Sequence, residues 1–288
     1  MTNNKISIVL PIYNEETVVE KTIKEIKSTC QTAGLNFEII AVNDCSKDKS
    51  GEILKSLEGI TVLTHKINRG YGASLKTGIK NSTGEWIVIT DVDGTYPNQD
   101  IPKLVSYMPD FDMVVGARKG LIAKDPLIRR TAKGFLNKFA SFLAGEKIED
   151  INSGLRVFKK SVAIKYWHLF PERFSFTSTI TMACFTNNHP VKYIPIDYYK
   201  RVGKSSIRPK NFIDFIKLVT KLSLYFKPFK VFSLLSLFIF LIALFVGFYT
   251  TFVLGHLSDV ITVLLAITSL QTFFFGLLAQ IIIKTNRH

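Results

Sequence analysis

Cysteine is scarce in the sequence, which has three widely separated residues of this type and no CxxC pair: Cys30, Cys45 and Cys184. A small disulfide-stabilised scaffold is therefore excluded, because such folds depend on many closely spaced cysteines. The five histidines are equally scattered, so a zinc site built from histidine and cysteine is not expected. Complete P-loop, GxGxxG and GxSxG motifs are also absent. With 47% hydrophobic residues, the chain still has enough apolar side chains for a packed core, which excludes disorder.

Charge is missing altogether from two long segments, 231–255 and 260–283. Each segment is long enough to cross a hydrocarbon core of about 30 Å as a helix that rises about 1.5 Å per residue. Because only a short turn separates them, the sequence predicts an antiparallel transmembrane hairpin. Two buried helices of a soluble protein are the alternative, which is disfavoured because soluble helices of this length usually have a polar face.

Basic residues flank the predicted hairpin at both outer ends and are absent from its turn. They include Lys227, Lys230, Lys284 and Arg287. By the positive-inside rule, both chain termini are expected in the cytoplasm. A secretory signal is not expected either, because the apolar run after Lys5 ends at Pro11. The predicted organisation is a cytoplasmic domain at 1–210, a juxtamembrane amphipathic helix at 211–228 and a hairpin region at 229–288.

The acidic residues are outnumbered, with 23 Asp and Glu against 37 Lys and Arg, so the formal net charge is +14 at pH 7. Such an excess predicts an anionic partner. Ten basic and two acidic residues lie between 191 and 230, beside the predicted hairpin. We therefore expect an anionic membrane surface and phosphate groups as partners, and no nucleic acid.

Two amphipathic segments combine apolar residues in helical spacing with basic residues, at 126–144 and 211–226. Both are predicted to lie in the membrane interface. There each basic residue near anionic lipid contributes about 1 kcal/mol of binding free energy. An ordinary surface helix is the alternative for each segment. Such helices could also pack between protomers, which leaves homo-oligomerisation open.

The first 117 residues alternate between short apolar runs and segments with helical spacing. Strands are expected at 6–10, 37–42, 61–64, 86–90 and 113–115, with helices at 15–33, 49–57, 72–80 and 101–107. This alternation is typical of an α/β fold with a doubly wound, mainly parallel sheet. Ligands of such sheets bind beyond the carboxyl ends of the strands, where this sequence places clusters of polar residues.

One of these clusters contains two aspartates, Asp91 and Asp93, directly after an apolar run. With one residue between them, the two carboxylates can converge on one cation. Hard oxygen ligands suit Mg²⁺ or Mn²⁺, which commonly bridge protein carboxylates to phosphate oxygens. An ordinary acidic turn is the alternative for a DxD sequence taken by itself.

Six segments follow one another in an order that matches a known family. They are PIYNEE at 11–16, VNDCSKD at 42–48, NRGYG at 68–72, TDVDGTYP at 90–97, DINSGLRVF at 150–158 and KRVGKSS at 200–206. Together they resemble the family 2 glycosyltransferases of the GT-A fold, and within these the polyprenyl-phosphate glycosyltransferase branch. The C-terminal hairpin also fits that branch.

The resemblance implies a nucleotide-sugar site formed by six residues: Pro11, Tyr13, Glu15, Asp44, Asp91 and Asp93. Asp44 would hydrogen-bond the base, and Asp91 and Asp93 would hold a divalent metal and the diphosphate. Thr95 stands where some relatives have glutamine and would be a weaker contact. For Glu15, capping of a helix N-terminus is the alternative role.

A second set of residues is implied to bind the diphosphate or the acceptor phosphate: Arg118, Arg201, Lys204 and Ser205. For Arg201 and Lys204 a solvated, lipid-facing patch is the alternative. Asp93, Arg118 and Asp150 would form the catalytic set. A metal ion together with Arg118, Arg201 and Lys204 would stabilise the leaving diphosphate. Asp150 is the candidate base for a hydroxyl acceptor, but it is not needed as a base for a lipid phosphate, which is already anionic. A structural turn is its alternative role.

The function implied by the resemblance is transfer of a hexose from a UDP- or GDP-sugar to a polyprenyl phosphate at the cytoplasmic membrane face. The transfer would require a metal and would invert the anomeric centre. Two alternatives stay open: a glycosyltransferase with another membrane acceptor, such as diacylglycerol or a polysaccharide, and a non-catalytic nucleotide-sugar-binding scaffold. The absence of a QxxRW motif disfavours a polysaccharide polymerase, and the presence of both aspartates disfavours the scaffold.

Overall fold

The computed structural model describes residues 4–119, 137–142, 144–172, 175–199, 217, 220–221, 223–225, 227–255 and 259–285. The chain divides into two compact units, Met1–Ile216 and Lys217–His288. Most of the predicted amphipathic segment 126–144 and most of the juxtamembrane segment 211–228 lie outside the described residues. Their placement at the membrane interface therefore stays a prediction.

Seven described strands form one sheet in the order β3–β2–β1–β4–β6–β5–β7. They are β1 (Ile6–Ile12), β2 (Phe37–Asn43), β3 (Thr61–Thr64), β4 (Trp86–Ile89), β5 (Met113–Arg118), β6 (Arg156–Lys159) and β7 (Val191–Ile196). Strand β6 runs antiparallel to β4 and β5, whereas all other neighbours are parallel. The expected α/β fold with a mainly parallel sheet is confirmed.

Six helices of the first unit have assigned bounds: α1 (Val19–Thr32), α2 (Ser50–Ser56), α3 (Tyr71–Asn81), α4 (Ile101–Val105), α5 (Lys160–Lys165) and α6 (Phe176–Thr186). Helix α1 buries Val19, Ile23 and Ile26, whose spacing forms one apolar face. It begins four residues later than the sequence indicated. The reason is a turn at Glu15, whose carbonyl accepts the backbone N–H groups of Val18 and Val19.

The core surrounds the central strands β1 and β4, where Ile8, Leu10 and Val88 are fully buried. Such strands consist mostly of apolar residues because parallel sheets are covered on both faces, and this made them predictable from the sequence. The sequence did not indicate β6, whose first residue, Arg156, is charged and yet completely buried. Its burial depends on hydrogen bonds that come from elsewhere in the fold.

The second unit contains two long helices, α7 (Pro228–Phe252) and α8 (Asp259–Thr285). Most of their apolar side chains are exposed within the unit, as expected for a surface that faces lipid. Between the helices, Ser236 Oγ donates to the carbonyl of Ser269 over 2.8 Å, and Ser269 Oγ donates to that of Ser236 over 3.0 Å. Polar bonds of this kind hold membrane helices together. Helix α7 begins and ends three residues before the predicted span 231–255.

Candidate active site

The polar residues predicted to line the site come together because of the strand order. Strand β1 pairs in parallel with β2 on one side and with β4 on the other, so all three carboxyl ends lie at one edge of the sheet. Pro11 lies in β1 opposite Val42. Tyr13 follows that strand and is 43% exposed, which leaves its ring available to a ligand.

Glu15 lies in the turn after β1, next to the N-terminus of α2. Its backbone N–H donates to Ser50 Oγ over 2.9 Å, and its carbonyl closes the turn that precedes α1. The neighbouring Glu16 N–H donates to a carboxylate oxygen of Asp48. These bonds connect the turn after β1 to the segment after β2. Both segments border the predicted nucleoside pocket, and the bonds fix their relative position.

The carboxylate of Asp44 organises the segment that leads from β3 into α3. Its oxygens accept the backbone N–H groups of Arg69 (2.8 Å) and Gly70 (2.7 Å). The ring nitrogen Nδ1 of His65 lies 2.7 Å from Asp44 Oδ1, and His65 Nε2 lies 2.9 Å from Thr77 Oγ1. Sequence reasoning missed His65, because a single histidine after a strand carries no signal of its partner. Asp44 thus fixes the backbone at the border of the predicted pocket, in addition to its predicted contact with the base.

The two aspartates after β4 differ in their surroundings. Asp93 is buried, and its Oδ1 accepts the backbone N–H (3.1 Å) and the hydroxyl (2.6 Å) of Thr95. Thr95, expected as a weaker ligand contact, therefore orients Asp93. Asp91 is half-buried and lies against Gly154, where an added Cβ would be 2.6 Å from Asp91 Oδ2. Only glycine can occupy position 154 without displacing this carboxylate.

The donor set of Asp91 and Asp93 fits a divalent cation that is shared with a substrate. Both residues offer carboxylate oxygens, the ligands that Mg²⁺ and Mn²⁺ prefer. Within the described residues, no group of three or more His, Cys, Asp or Glu could enclose an ion. Mg²⁺ commonly takes one or two protein carboxylates and completes its shell with phosphate oxygens and water. Two carboxylates at the end of a strand match that pattern.

Arg118 and Asp150, which the sequence placed in separate segments, form a buried bidentate ion pair. Arg118 Nε donates to Asp150 Oδ2 over 2.7 Å, and Nη2 donates to Oδ1 over 2.8 Å. The side chains are 15% and 11% exposed. Burial by itself would raise the pKa of Asp150, but the hydrogen bonds and charge of Arg118 hold that pKa below its ordinary value. Asp150 is therefore an ionised partner of Arg118 at neutral pH.

The loop at 150–155, between the ion pair and β6, is held on several sides. Gly154 N–H donates to the phenol oxygen of Tyr96 over 2.7 Å, and Ser153 Oγ donates to the carbonyl of Gly116 over 2.6 Å. Beneath the loop, the buried guanidinium of Arg156 donates to the carbonyls of Ser153 and Thr177. Desolvation by burial lowers the pKa of Arg156. These bonds fix the position of the loop. It lies directly beside residues 91–95, which carry Asp91 and Asp93 and are called the aspartate turn below.

Three predicted phosphate-binding residues, Arg201, Lys204 and Ser205, lie outside the described residues. The described chain approaches them through Tyr198 and Tyr199, which follow β7. Tyr199 N–H donates to the carbonyl of Thr95 over 2.9 Å, so this segment is bound to the aspartate turn.

Comparison with known families identifies both parts of the chain. The profile of "Glycosyl transferase family 2" matches residues 7–167, which is more than half of the sequence. A second profile, "GtrB C-terminal hairpin", matches residues 227–284. The first match extends from the second residue of β1 through β6 and includes the two aspartates. The second covers both long helices except the last residue of α8.

Curated proteins with similar sequences include an archaeal protein and bacterial sugar transferases named for undecaprenyl phosphate. "Uncharacterized protein MJ1222" of Methanocaldococcus jannaschii is 31% identical over 232 residues, which cover 77% of this chain and 92% of that protein. "Undecaprenyl-phosphate 4-deoxy-4-formamido-L-arabinose transferase" of Klebsiella pneumoniae is 29% identical over 164 residues, which cover 55% of this chain. That match spans 50% of the transferase, about half of its length.

Solved structures with similar folds include two glycosyltransferases. Glucosyl-3-phosphoglycerate synthase from Mycobacterium tuberculosis, in complex with Mn²⁺, UDP and phosphoglyceric acid, has a TM-score of 0.61 at 15% identity, covering 76% of this chain and 78% of that one. Mannosyltransferase PcManGT from Pyrobaculum calidifontis, in complex with GDP-Man and Mn²⁺, has a TM-score of 0.55 at 19% identity, covering 71% and 59%. At these identities the comparison shows a shared fold.

Proposed function

Because the chain belongs to glycosyl transferase family 2, we propose that it transfers a hexose from a UDP- or GDP-sugar to a polyprenyl phosphate. The chain is a glycosyltransferase with a membrane hairpin, and its relatives include transferases named for undecaprenyl phosphate. The proposal concerns the donor, the acceptor, the metal and the stereochemistry of the reaction.

The ionised, paired form of Asp150 is the main observation in favour of a phosphate acceptor. A hydroxyl acceptor needs a base to take its proton, and an effective base has a pKa near the working pH. Asp150 is instead buried in a bidentate pair with Arg118, and its pKa is lowered. A lipid phosphate is already anionic at neutral pH, so it needs positioning more than it needs a base. The pair therefore favours polyprenyl phosphate over diacylglycerol or a polysaccharide.

The proposed reaction is a single displacement at the anomeric carbon. A phosphate oxygen of the lipid forms the new bond to this carbon, while the bond from the carbon to the donor diphosphate breaks and its electron pair leaves with the diphosphate. Arg118, fixed by Asp150, would stabilise the charge that develops on the leaving group. A divalent cation held by Asp91 and Asp93 would neutralise charge on the donor diphosphate. One displacement inverts the centre and gives a β-linked sugar from an α-linked donor.

The membrane hairpin supports a lipid acceptor. A polyprenyl chain is confined to the bilayer, so an enzyme held at the membrane meets its acceptor in two dimensions. We propose that the catalytic unit lies on the cytoplasmic side, because basic residues flank the outer ends of the hairpin. The predicted basic segment before the hairpin would attract anionic lipid to the same surface.

The proposal can be tested with the full chain purified in detergent. A panel of UDP- and GDP-sugars is incubated with Mn²⁺ and either undecaprenyl phosphate or diacylglycerol, and the lipid products are identified by mass spectrometry. We expect a glycosyl phosphate that mild acid cleaves, formed only with the lipid phosphate. An acid-stable glycoside of diacylglycerol would instead contradict the acceptor proposed here.

Two variants show whether the product in that assay is made by this protein or by a contaminating enzyme. Asp93→Asn removes a predicted metal ligand, and we expect it to lose product formation. Asp110→Asn makes the same chemical change at an exposed residue between α4 and β5, and we expect it to keep full activity. Equal product from both variants and the wild type would contradict a role of Asp93.

A further inference from the structure

Four segments of the first unit meet in a closed ring of contacts beside the aspartate turn. Asp150 pairs with Arg118, and the Arg118 guanidinium lies over the ring of Tyr198, with Cζ 5.2 Å from the centroid. Tyr198 in turn meets Tyr96 edge-to-face, with centroids 5.3 Å apart. Gly154, four residues after Asp150, closes the ring through its bond to the Tyr96 hydroxyl.

Arg118 is constrained in two different directions within this ring. The carboxylate of Asp150 binds two nitrogens of the guanidinium, whereas the central carbon of the same group lies over the Tyr198 ring. A bidentate bond by itself still permits the paired groups to tilt together. An aromatic face against the cation opposes that tilt, and this attraction is stronger where water is excluded. The Arg118 side chain is only 15% exposed, so the contact lies in such a place.

Tyr198 is itself well anchored for this purpose. Its ring is half-buried and packs against the hydrophobic core as well as against Tyr96. The next residue, Tyr199, donates its backbone N–H to the carbonyl of Thr95. Thr95 also orients Asp93 through its hydroxyl. The position of the Tyr198 ring is therefore coupled to the turn that carries the two aspartates.

We propose that Tyr198 is a positioning residue of the transferase: its aromatic face holds the Arg118 guanidinium in the orientation in which it stabilises the leaving diphosphate. The proposal rests on the proposed function for the identity of the leaving group. The contact requires the ring and makes no use of the phenol hydroxyl. Phenylalanine should therefore replace tyrosine at this position, whereas a residue without a ring should not.

The test compares Tyr198→Phe, Tyr198→Leu and a matched control, Tyr107→Leu, in the full chain. Tyr107 is also half-buried against the core and also lies near a cation, with Lys192 Nζ 6.0 Å from its centroid. It lies after α4, outside the ring of contacts. We expect Tyr198→Leu to lower kcat about tenfold with the donor KM within about twofold, because an interaction realised in the transition state is lost. Tyr198→Phe and Tyr107→Leu should keep kcat within about twofold.

A second measurement is independent of the reaction. Hydrogen–deuterium exchange detected by mass spectrometry reports the opening of the Tyr199–Thr95 bond. We expect faster exchange in the peptide that contains Tyr199 for Tyr198→Leu, and wild-type exchange for the other two variants.

The outcomes distinguish this inference from the proposed function. If the wild type makes no product with any donor, the proposed function fails and Tyr198 has no demonstrated role in transfer. If the wild type is active but Tyr198→Leu matches Tyr107→Leu in both kcat and exchange, the positioning role is wrong. Equal loss in Tyr198→Phe and Tyr198→Leu would assign the role to the hydroxyl and would also overturn the proposal.

Discussion

Gly154 lies so close to Asp91 that a larger residue at position 154 must displace the Asp91 carboxylate. A Cβ at position 154 would be 2.6 Å from Asp91 Oδ2 and 3.0 Å from Cε2 of Tyr96. The backbone N–H of Gly154 is meanwhile fixed on the Tyr96 hydroxyl. The loop that carries Asp150 and the turn that carries the predicted metal ligands therefore fit together as one surface.

Gly154→Ala is expected to reduce transfer about 100-fold, because the new methyl group must displace the Asp91 carboxylate. Displacements of about 1 Å in a catalytic site have effects of this size. Steady-state kinetics over a range of Mn²⁺ concentrations would measure the loss. The control is Gly247→Ala on α7, where the nearest contact is the Thr262 side chain at 3.2 Å. Wild-type kinetics in Gly154→Ala would show that the close approach has no consequence.

Asp150→Asn is expected to destabilise the catalytic unit at neutral pH, because it leaves Arg118 as a buried charge without its carboxylate. Breaking such a pair costs about 3 kcal/mol, which for a unit of this size lowers Tm by roughly 6–12 °C. Differential scanning fluorimetry in detergent would measure the shift. Asp110→Asn, at an exposed position, is the matched control. A Tm equal to that of the wild type would mean that the pair adds nothing to stability.

The stability difference between the wild type and Asp150→Asn should depend on pH. The pKa of Asp150 is lowered in the folded chain, so the pair stabilises the fold fully above the ordinary Asp value of about 3.9. This stabilisation is lost as the pH falls through the lowered pKa. The Tm difference should therefore be constant from about pH 7 to pH 5 and shrink below about pH 4. A difference that shrinks already between pH 7 and pH 5 would contradict the lowered pKa.

Metal removal is expected to abolish transfer, because Asp91 and Asp93 provide only two protein carboxylates for an ion shared with the donor. Transfer should stop in excess EDTA and return when Mn²⁺ or Mg²⁺ is added in excess. Asp93→Asn should keep its fold, judged by Tm, and lose at least about 100-fold in kcat at any Mn²⁺ concentration. Undiminished transfer in EDTA would exclude the proposed metal dependence.

His65→Gln is expected to weaken donor binding, because His65 holds the Asp44 carboxylate beside the predicted nucleoside pocket. We expect the donor KM to rise about fivefold with kcat nearly unchanged, since the contact acts on binding and not on the transition state. His189→Gln is the control, because His189 makes a similar bond to Asp112, before β5. Equal KM values in both variants would remove His65 from the donor site.

The order of apolar and polar segments along the chain was enough to predict the central features of the fold. The buried strands β1, β2 and β4 consist mostly of apolar residues, and polar residues follow each of them. Because parallel strands end at one edge, sequence position alone indicated that Asp44, Asp91 and Tyr13 would lie near one another. The two charge-free segments likewise predicted the membrane hairpin. Strand β6 was not predicted because it begins with Arg156, and a charged residue is normally expected at the surface.

The amino-acid sequence by itself determined the type of sheet, the membrane hairpin and the family, since these depend on local patterns of polarity and on motif order. Only the tertiary structure decided that Arg118 and Asp150 are partners, that Gly154 lies against Asp91 and that Tyr198 covers Arg118. These contacts join residues that are 32, 63 and 80 positions apart. Local sequence patterns do not indicate such pairs. They arise where the sheet brings together the turn after β4, the ends of β5 and β7, and the loop before β6.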